Sequence, residues 1–394
     1  MRTAVIASAA RTPIGSFGGS LASVPAVHLG QLVISEVLRR AGVPKGQVEE
    51  VIMGQILQGG CGQNPARQAA IGAGIPEHIP SYTINKLCGS GLKSVALGAM
   101  AIVTGEADVI VAGGMESMSR APYLLDKARN GYRMGNGVLE DSILKDALTD
   151  AFHGIHMGIT AENIAHRYRI SREEADAFAL QSQQKTAKAQ SEGLFRREIV
   201  PVPVPGRRGE TLMLEDDEYP RRDTTMESLA KLRPAFKEGG VVTAGNSSGI
   251  NDAAAALLLM EQGAAERAGL RPLARIRGWG TAGVDPKIMG MGPVEAVRKA
   301  LVNAGLTLED IDLVELNEAF AAQSLAVIRE LRLDNRKVNV NGGAIALGHP
   351  VGCSGARVLV TLLHELERSR LRRGLAALCI GGGQGIAMVV ERDG

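Results

Sequence analysis

The chain opens on "RTAVIASAA", an apolar run short enough for a buried strand, and then alternates such runs with amphipathic stretches at helical spacing. "LGQLVISEVLRRAGVPKGQVEEVIMG" predicts a helix ending at Ala41-Gly42, then a strand through Val48 and Val51. "VEAVRKALVNAGLTLEDIDLVELN" repeats that arrangement much later. Ala304-Gly305-Leu306 stands where Ala41-Gly42-Val43 stood, and Ile311 and Val314 match Val48 and Val51. "VIVAGG" (Val109 to Gly114) likewise matches "ALCIGG" (Ala377 to Gly382). One α/β unit is therefore used twice.

After those glycines the copies part. The second runs through "GGGQGIAMVVER", a tight hairpin into a last strand. In the first, the equivalent "AAALLLME" ends at Glu261 and follows an insertion between roughly Ser119 and Gly245. The insertion is loop-rich at "APYLLDKARNGYRMGNGVLED", helical at "SREEADAFALQSQQKTAKAQSEG" and proline-rich at "VPVPVPGRRG". Segments this long inside a compact fold carry function. Two readings stay open for it, a substrate cover and an oligomerisation arm.

Composition narrows the partners. At 394 residues and 45% hydrophobic, the chain can fill the cores of two or three domains. A net charge of +2 and 3% aromatics supply neither the field nor the stacking surface that nucleic acid or a charged membrane requires. No uninterrupted apolar run reaches the roughly 18 residues of a membrane helix. The opening strand leaves no room for a secretion signal, and "VVERDG" is not a peroxisomal address. Cys61, Cys88, Cys353 and Cys379 form no C-x-x-C pair and no disulfide framework, which fits a reducing, cytoplasmic compartment.

Chemistry concentrates in a few stretches. In "INKLCGSGLKS" a strand (Ser81 to Ile84) runs in and a helix (Leu92, Val95, Ala96, Ala99) runs out. A helix opening at Gly89 aims free N–H groups and a positive dipole end at Cys88, which lowers a thiol pKa. Gly89 and Gly91 let a bulky substrate approach the backbone, and an N–H there can hold an oxyanion. The bland alternative is a small core cysteine. In "NVNGGAIALGHPVGCSGAR", Pro350 keeps His349 out of a helix; on such a turn it is a base or an ordinary hydrogen-bonded loop histidine. Cys353 reads as a packing residue at a helix start. Cys379 ends a buried strand before three glycines, where the first copy has Val111. Asn317 follows the strand Asp312 to Leu316 and suits either a water-fixing amide or the N-cap of a helix from Glu318.

Three other patterns carry less. "GWGTAG" (Gly278 to Gly283) fits a dinucleotide fingerprint, but Val284-Asp285-Pro286 continues as loop where a helix is needed. "GNSSG" (Gly245 to Gly249) fits a nucleophile elbow at Ser247, and Asp312 and His349 follow in the order of an α/β-hydrolase. That reading leaves the repeat, Cys88 and Cys379 unexplained. His153 and His156 lack a third ligand at metal spacing, so no metal is expected.

Taken in order, "NKLCGSGLKSV", "VIVAGGMESMS", "GNSSGINDAAAALL", "NEAFAAQ", "NVNGGAIALGHPVGCSGAR" and "CIGGGQGIAMV" resemble the thiolase family over the whole chain. The resemblance implies an α/β fold in which a duplicated unit is layered α-β-α-β-α. Residues 1–120 with 245–270 would form one half, 121–244 an inserted loop domain and 271–394 the other half. It implies an acyltransferase that condenses two acetyl-CoA reversibly to acetoacetyl-CoA and CoA, with no metal or redox cofactor. A broader-chain, degradative 3-ketoacyl-CoA thiolase is the near alternative. A non-enzymatic binding protein of this type would lack one of the cysteines or the histidine, and none is missing here.

By the same resemblance Cys88 is the acyl-accepting nucleophile and Cys379 the cysteine that moves the α-proton. His349 activates the nucleophile and helps hold the thioester oxygen. Asn317 positions a water in one oxyanion hole, and the N–H groups of Cys88 and Gly381 form a second. Arg221, Ser228 and Ser248 would hold the nucleotide and pantetheine of CoA. Leu148, His156, Met157, Phe236, Ala244, Met289, Ala319 and Phe320 would line the tunnel. "HMG" (His156 to Gly158) resembles the short-chain biosynthetic type, with Met157 crowding longer acyl chains. The loop from Ala121 to about Asp141 resembles a tetramerisation loop, which implies a homotetramer.

Overall fold

The structure, a computed structural model, describes residues 2–206 and 210–393. The first copy runs β1 (Ala4–Arg11), β2 (Gly15–Ser16), α1 (Ala26–Ala41), β3 (Glu50–Gly54), α2 (Pro65–Gly72), β4 (Ser81–Ile84), α3 (Ser90–Thr104) and β5 (Val109–Ser117). The insertion holds β6 (Tyr123–Leu124), β7 (Glu140–Asp141), α4 (Met157–Tyr168), α5 (Arg172–Ser191), β8 (Val202–Pro205), β9 (Thr211–Leu214) and α6 (Met226–Ala230). The end of the proline-rich stretch, 207–209, lies outside the described residues. The chain rejoins the core at β10 (Asn251–Glu261) and leaves it through α7 (Gln262–Arg267). The second copy runs β11 (Ala274–Gly283), α8 (Gly292–Ala304), β12 (Leu313–Leu316), α9 (Ala321–Leu331), α10 (Ala344–Leu347), α11 (Ser354–Arg368), β13 (Arg373–Ile380) and β14 (Gln384–Glu391).

The strands hydrogen-bond in the order β12-β13-β14-β11-β1-β10-β5-β3-β4, with β2 on β10. Outward from the β1–β11 seam, β1-β10-β5-β3 on one side repeats as β11-β14-β13-β12 on the other. The duplication legible in the sequence is thus a duplication of topology. The seam itself is thin: among the described residues only Val5↔Arg275 and Ile6↔Ala274 pair across it.

Strand alternation sorts the core into layers. On β10, Ala253, Ala255, Leu257 and Leu259 face one cluster with α3 and α11, while Ala254, Ala256, Leu258 and Met260 face another with α1 and α2. On β14, Ile386, Met388 and Val390 join the α3–α11 cluster, while Ala387 and Val389 face α8 and α9. Helices α3 and α11 therefore form a middle layer between two half-sheets, and α1–α2 and α8–α9 cover the outside. This is the five-layered arrangement that the thiolase resemblance implied.

The middle layer corrects one expectation. Leu87–Thr104 is long and apolar enough, by composition, to cross a membrane. Its apolar residues meet the demand of a helix packed between two sheets, with Leu92, Val95, Ala96, Ala99 and Ile102 fully buried.

Candidate active site

The turn carrying Cys88 is built from local bonds. Leu87, the residue before it, holds a left-handed φ of +47°, uncommon for a bulky side chain. The Leu87 N–H donates to Asn85 Oδ1 (2.9 Å), and the Gly89 and Ser90 N–H groups donate to Lys86 O and Leu87 O (3.1 and 2.9 Å). Ser90 Oγ accepts from the Lys86 N–H (2.8 Å) and donates to Leu87 O (2.7 Å). The chain thereby turns from β4 into α3 within a few residues, with Cys88 at the corner.

The glycines beside Cys88 have a different reason from the one expected. A methyl group at Gly89 would collide with Ile380 Cδ1 of β13. One at Gly91 would lie 2.6 Å from the Ala356 N and 3.0 Å from Cys353 O, and one at Gly355 would strike the Leu92 N. The bare backbones let the starts of α3 and α11 interlock. The glycines make room for the other copy of the repeat, and that contact brings Cys379, at the end of β13, towards Cys88.

Cys88, Cys379, His349 and Gly381 all line one cavity of about 390 Å³. Leu148, His156, Met157, Arg221, Phe236, Ala244, Ser248, Met289, Ala319 and Phe320 line it too. Asn317 stands behind His349 and is not part of the wall. Ser228 lies in an adjoining groove of about 260 Å³ that shares Tyr219, Arg221 and Ala244 with the main cavity. Met118, Tyr219, Ile250 and Val351 also line the cavity and were not anticipated, and Ser247, singled out only as a rival nucleophile, lines it as well. Met118 and Val351 sit inside stretches already singled out, so only their orientation was missing. Tyr219 had no local signal: it is seated by Gly249, where a Cβ would lie 2.5 Å from the ring.

The electrostatics are those of a dry site. Burial pushes the Cys88 thiol up to about 11, opposite to the direction expected from the helix start. The N–H groups of Gly381 and of Cys88 itself act on the sulfur and pull its pKa back. The nearby Glu116 carboxylate adds to the rise. Desolvation exceeds the help of the helix terminus. Cys379 is fully buried, and burial followed by the neighbouring Cys88 pushes its thiol up as well. Two thiols so placed ionise in turn, not together.

Burial, and then the Arg357 cation, hold His349 down at about 3, so its ring is neutral. Its backbone N–H donates to Asn251 Oδ1 (2.9 Å). Gly348, at φ +108°, is required next door because a Cβ would strike the Asn251 side chain. Ser354 Oγ lies 2.6 Å from His349 Nδ1 and 2.9 Å from Pro350 O. With that hydroxyl donating to the carbonyl, Nδ1 carries the proton and Nε2 presents a lone pair; the tautomer is assigned from these distances. Asn317 Nδ2 lies 3.5 Å from Nε2. The Asn317 Oδ1 atom is buried with no protein partner, the kind of group an ordered water satisfies.

Three sequence readings are corrected here. Asn317 is not a helix N-cap, because α9 starts only at Ala321 with Phe320 at its cap position. The Ser248 N–H donates to Ala319 O (3.0 Å) and the Ala321 N–H to Asn246 O (2.9 Å), and these bonds keep the intervening chain extended. Ser247 is not an elbow nucleophile. No strand precedes it, strand β10 follows instead of a helix, and its Oγ donates to Thr243 O (2.7 Å). Asp312 accepts from the Arg372 and Arg373 N–H groups, so it is engaged away from His349. "GWGTAG" is the strand β11, whose Gly278 and Gly280 admit the backbone of α8. Cys353 is fully buried at the start of α11, as a packing residue would be. His156 caps α4, its Nδ1 accepting from the Gly158 N–H (3.0 Å), and stacks on Phe236 at 4.6 Å.

Comparison with known proteins places these features in a family. The thiolase N-terminal domain matches residues 4–263 and the thiolase C-terminal domain residues 270–392. The chain is 60% identical, over all of both chains, to a Pseudomonas aeruginosa protein named acetyl-CoA acetyltransferase. It is 60% identical, again over the full length of both, to an Escherichia coli protein of the same name. Among solved structures, the Bacillus anthracis acetyl-CoA acetyltransferase superposes with a TM-score of 0.97 at 49% identity, covering 99% of each chain. Full-length matches at this identity, on a fold whose two copies each bring a cysteine to one cavity, establish that the chain belongs to the thiolase family.

Proposed function

We propose that the protein is an acetyl-CoA acetyltransferase, catalysing the reversible condensation of two acetyl-CoA to acetoacetyl-CoA and CoA. One observation carries the reading. Cys88 and Cys379, from opposite copies of the repeat, face one cavity with a neutral His349 and with two N–H groups acting on the Cys88 sulfur.

In the forward direction His349 Nε2 takes the Cys88 proton as the sulfur attacks the thioester carbon of the first acetyl-CoA. The CoA thiolate leaves and takes the proton of Cys379. The site then holds acetyl-Cys88, a Cys379 thiolate and a protonated His349. The Cys379 thiolate removes the α-proton of a second acetyl-CoA. The resulting enolate attacks the acetyl-Cys88 carbonyl, and Cys88 leaves as thiolate and recovers its proton from His349. The thioester oxygens are held by the Cys88 and Gly381 N–H groups on one side, and by His349 with a water on Asn317 on the other. The steps balance without a metal or redox cofactor. Arg221, Ser228 and Ser248 contact the CoA moiety, and the remaining tunnel residues enclose the pantetheine and acyl groups. The two halves, 1–120 with 245–270 and 271–394, thus carry the reacting groups, and 121–244 supplies much of the CoA site. A reducing cytoplasm suits the four free thiols.

Acyl length is set at Met157, the first residue of α4. A Cβ at Gly381 would lie 3.5 Å from its sulfur, so the Met157 side chain closes the acyl end of the cavity. CoA-dependent cleavage of acetoacetyl-CoA should exceed that of a six-carbon or longer 3-ketoacyl-CoA by about tenfold or more in kcat/KM. Met157→Ala should narrow that gap about tenfold. Equal rates on short and long substrates in the wild type would instead identify a broad-chain thiolase.

The hairpin β6–β7 supports a homotetramer. It and its tip expose Tyr123 (63%), Met134 (94%), Val138 (72%) and Leu139 (62%), apolar side chains that favour burial against another subunit. Replacing Met134 and Val138 together by Asp should halve the particle mass in light scattering and leave thiolysis measurable. An unchanged mass would show that this loop is not the tetramer contact.

A further inference from the structure

Glu116 is a fully buried carboxylate that the scheme above does not use. It lies on β5, and its oxygens accept three backbone N–H groups from two separate loops. Ile56 and Gly352 donate to Oε2 (3.0 Å each) and Leu57 to Oε1 (3.2 Å). Each loop borders a reacting group. Segment 54–57 lies against the Cys88 turn: the Gln55 N–H donates to Ile84 O (3.0 Å), and Ile56 and Leu57 pack in one cluster with Leu87, Cys88 and Val351. Gly352 belongs to the turn between His349 and α11. Its missing Cβ is demanded by the same carboxylate, since a Cβ would lie 2.6 Å from Glu116 Oε2 and 2.9 Å from Gln55 Cα.

We propose that Glu116 is a positioning residue for the condensation, its carboxylate joining the loop beside Cys88 to the turn beside His349 so that sulfur and imidazole keep their register. A neutral amide cannot replace it. Gln offers one acceptor oxygen, and its NH₂ group would face donors. Burial pushes the Glu116 carboxyl up to about 7, and the three N–H donors pull it back. The titratable groups around it are Asp252 on β10, Cys88 at the start of α3 and Cys353 at the start of α11. As a negative charge Glu116 opposes ionisation of Cys88.

The proposal rests on the thiolase reading, and its test separates the two. Thiolysis kinetics and the pH dependence of Cys88 alkylation by iodoacetamide are measured for wild type, Glu116→Gln, Glu116→Asp and Gly352→Ala, with thermal melts alongside. For Glu116→Gln, kcat should fall about tenfold to a hundredfold with KM within about twofold, as loss of alignment predicts. Its alkylation profile should move to lower pH, because a like charge is removed. Glu116→Asp should restore the profile and not the full kcat. Gly352→Ala, which displaces the turn but keeps the charge, should lose kcat with the wild-type profile. A lower melting temperature with wild-type kcat and profile in Glu116→Gln would overturn the proposal. If that variant does not fold, wild-type kcat in Gly352→Ala overturns it equally. Failure of the thiolase reading would show differently, as a wild type without thiolysis whose alkylation still responds to Glu116.

Discussion

Cys88→Ala should lose acetoacetyl-CoA thiolysis by about 10⁴-fold or more and should bind no radiolabelled acetyl group from acetyl-CoA. The sulfur is the atom that carries the acyl group, and Ser247, the serine of the elbow-like pattern on the same cavity wall, is engaged with Thr243 O. The loss should be chemical and not structural. Cys88 is only partly buried, so truncating one cavity-facing atom should cost about 1 kcal/mol or less of stability. A folded Cys88→Ala protein that turned over at the wild-type rate would remove the mechanism altogether.

Cys379→Ala should separate the half-reactions. Acetyl-Cys88 should still form and accumulate, while condensation and thiolysis should fall about 10³-fold, the scale of a lost acid–base group. Deuterium exchange into the methyl group of acetyl-CoA, which reports α-proton removal without condensation, should vanish with it. Exchange persisting at the wild-type rate would assign the proton to another group, with His349 the first to test. A bland packing role for Cys379 predicts the reverse pattern, lower stability with both half-reactions intact.

Much of this was legible in the chain. Period-two runs, the Ala41-Gly42 and Ala304-Gly305 helix ends and the β4–α3 junction are local signals, and the fold uses each where expected. The repeat correctly paired β13 with β5 but misplaced the register by four residues: Val111 pairs with Val51 and Leu258, and Leu375 pairs with their counterparts Val314 and Val389, so Leu375 and not Cys379 stands in the place of Val111. What local pattern could not show is which groups meet from distant segments. Asn317 reads as an N-cap until the pairing of 246–248 with 319–321 holds it in extended chain. Glu116 and Asn251 act on the site through partners far away in sequence, so nothing near them identifies those partners. The acidity of Cys88 was misjudged because a helix terminus is local and visible, whereas desolvation depends on everything that closes over the thiol.

The interlocked glycines of α3 and α11 have a consequence for stoichiometry. Counting back three residues from each, Cys88 corresponds to Gly352, and by the same spacing Cys379 corresponds to Met115. The pseudo-symmetric counterpart of the reaction centre therefore has neither thiol, and the glycine there serves Glu116 instead. An assembly of two identical half-chains would have been obliged to repeat the same residue on both sides of the axis. Joining the halves in one polypeptide released that constraint, so each chain loads one acyl group at a time and the second copy is free to handle the proton.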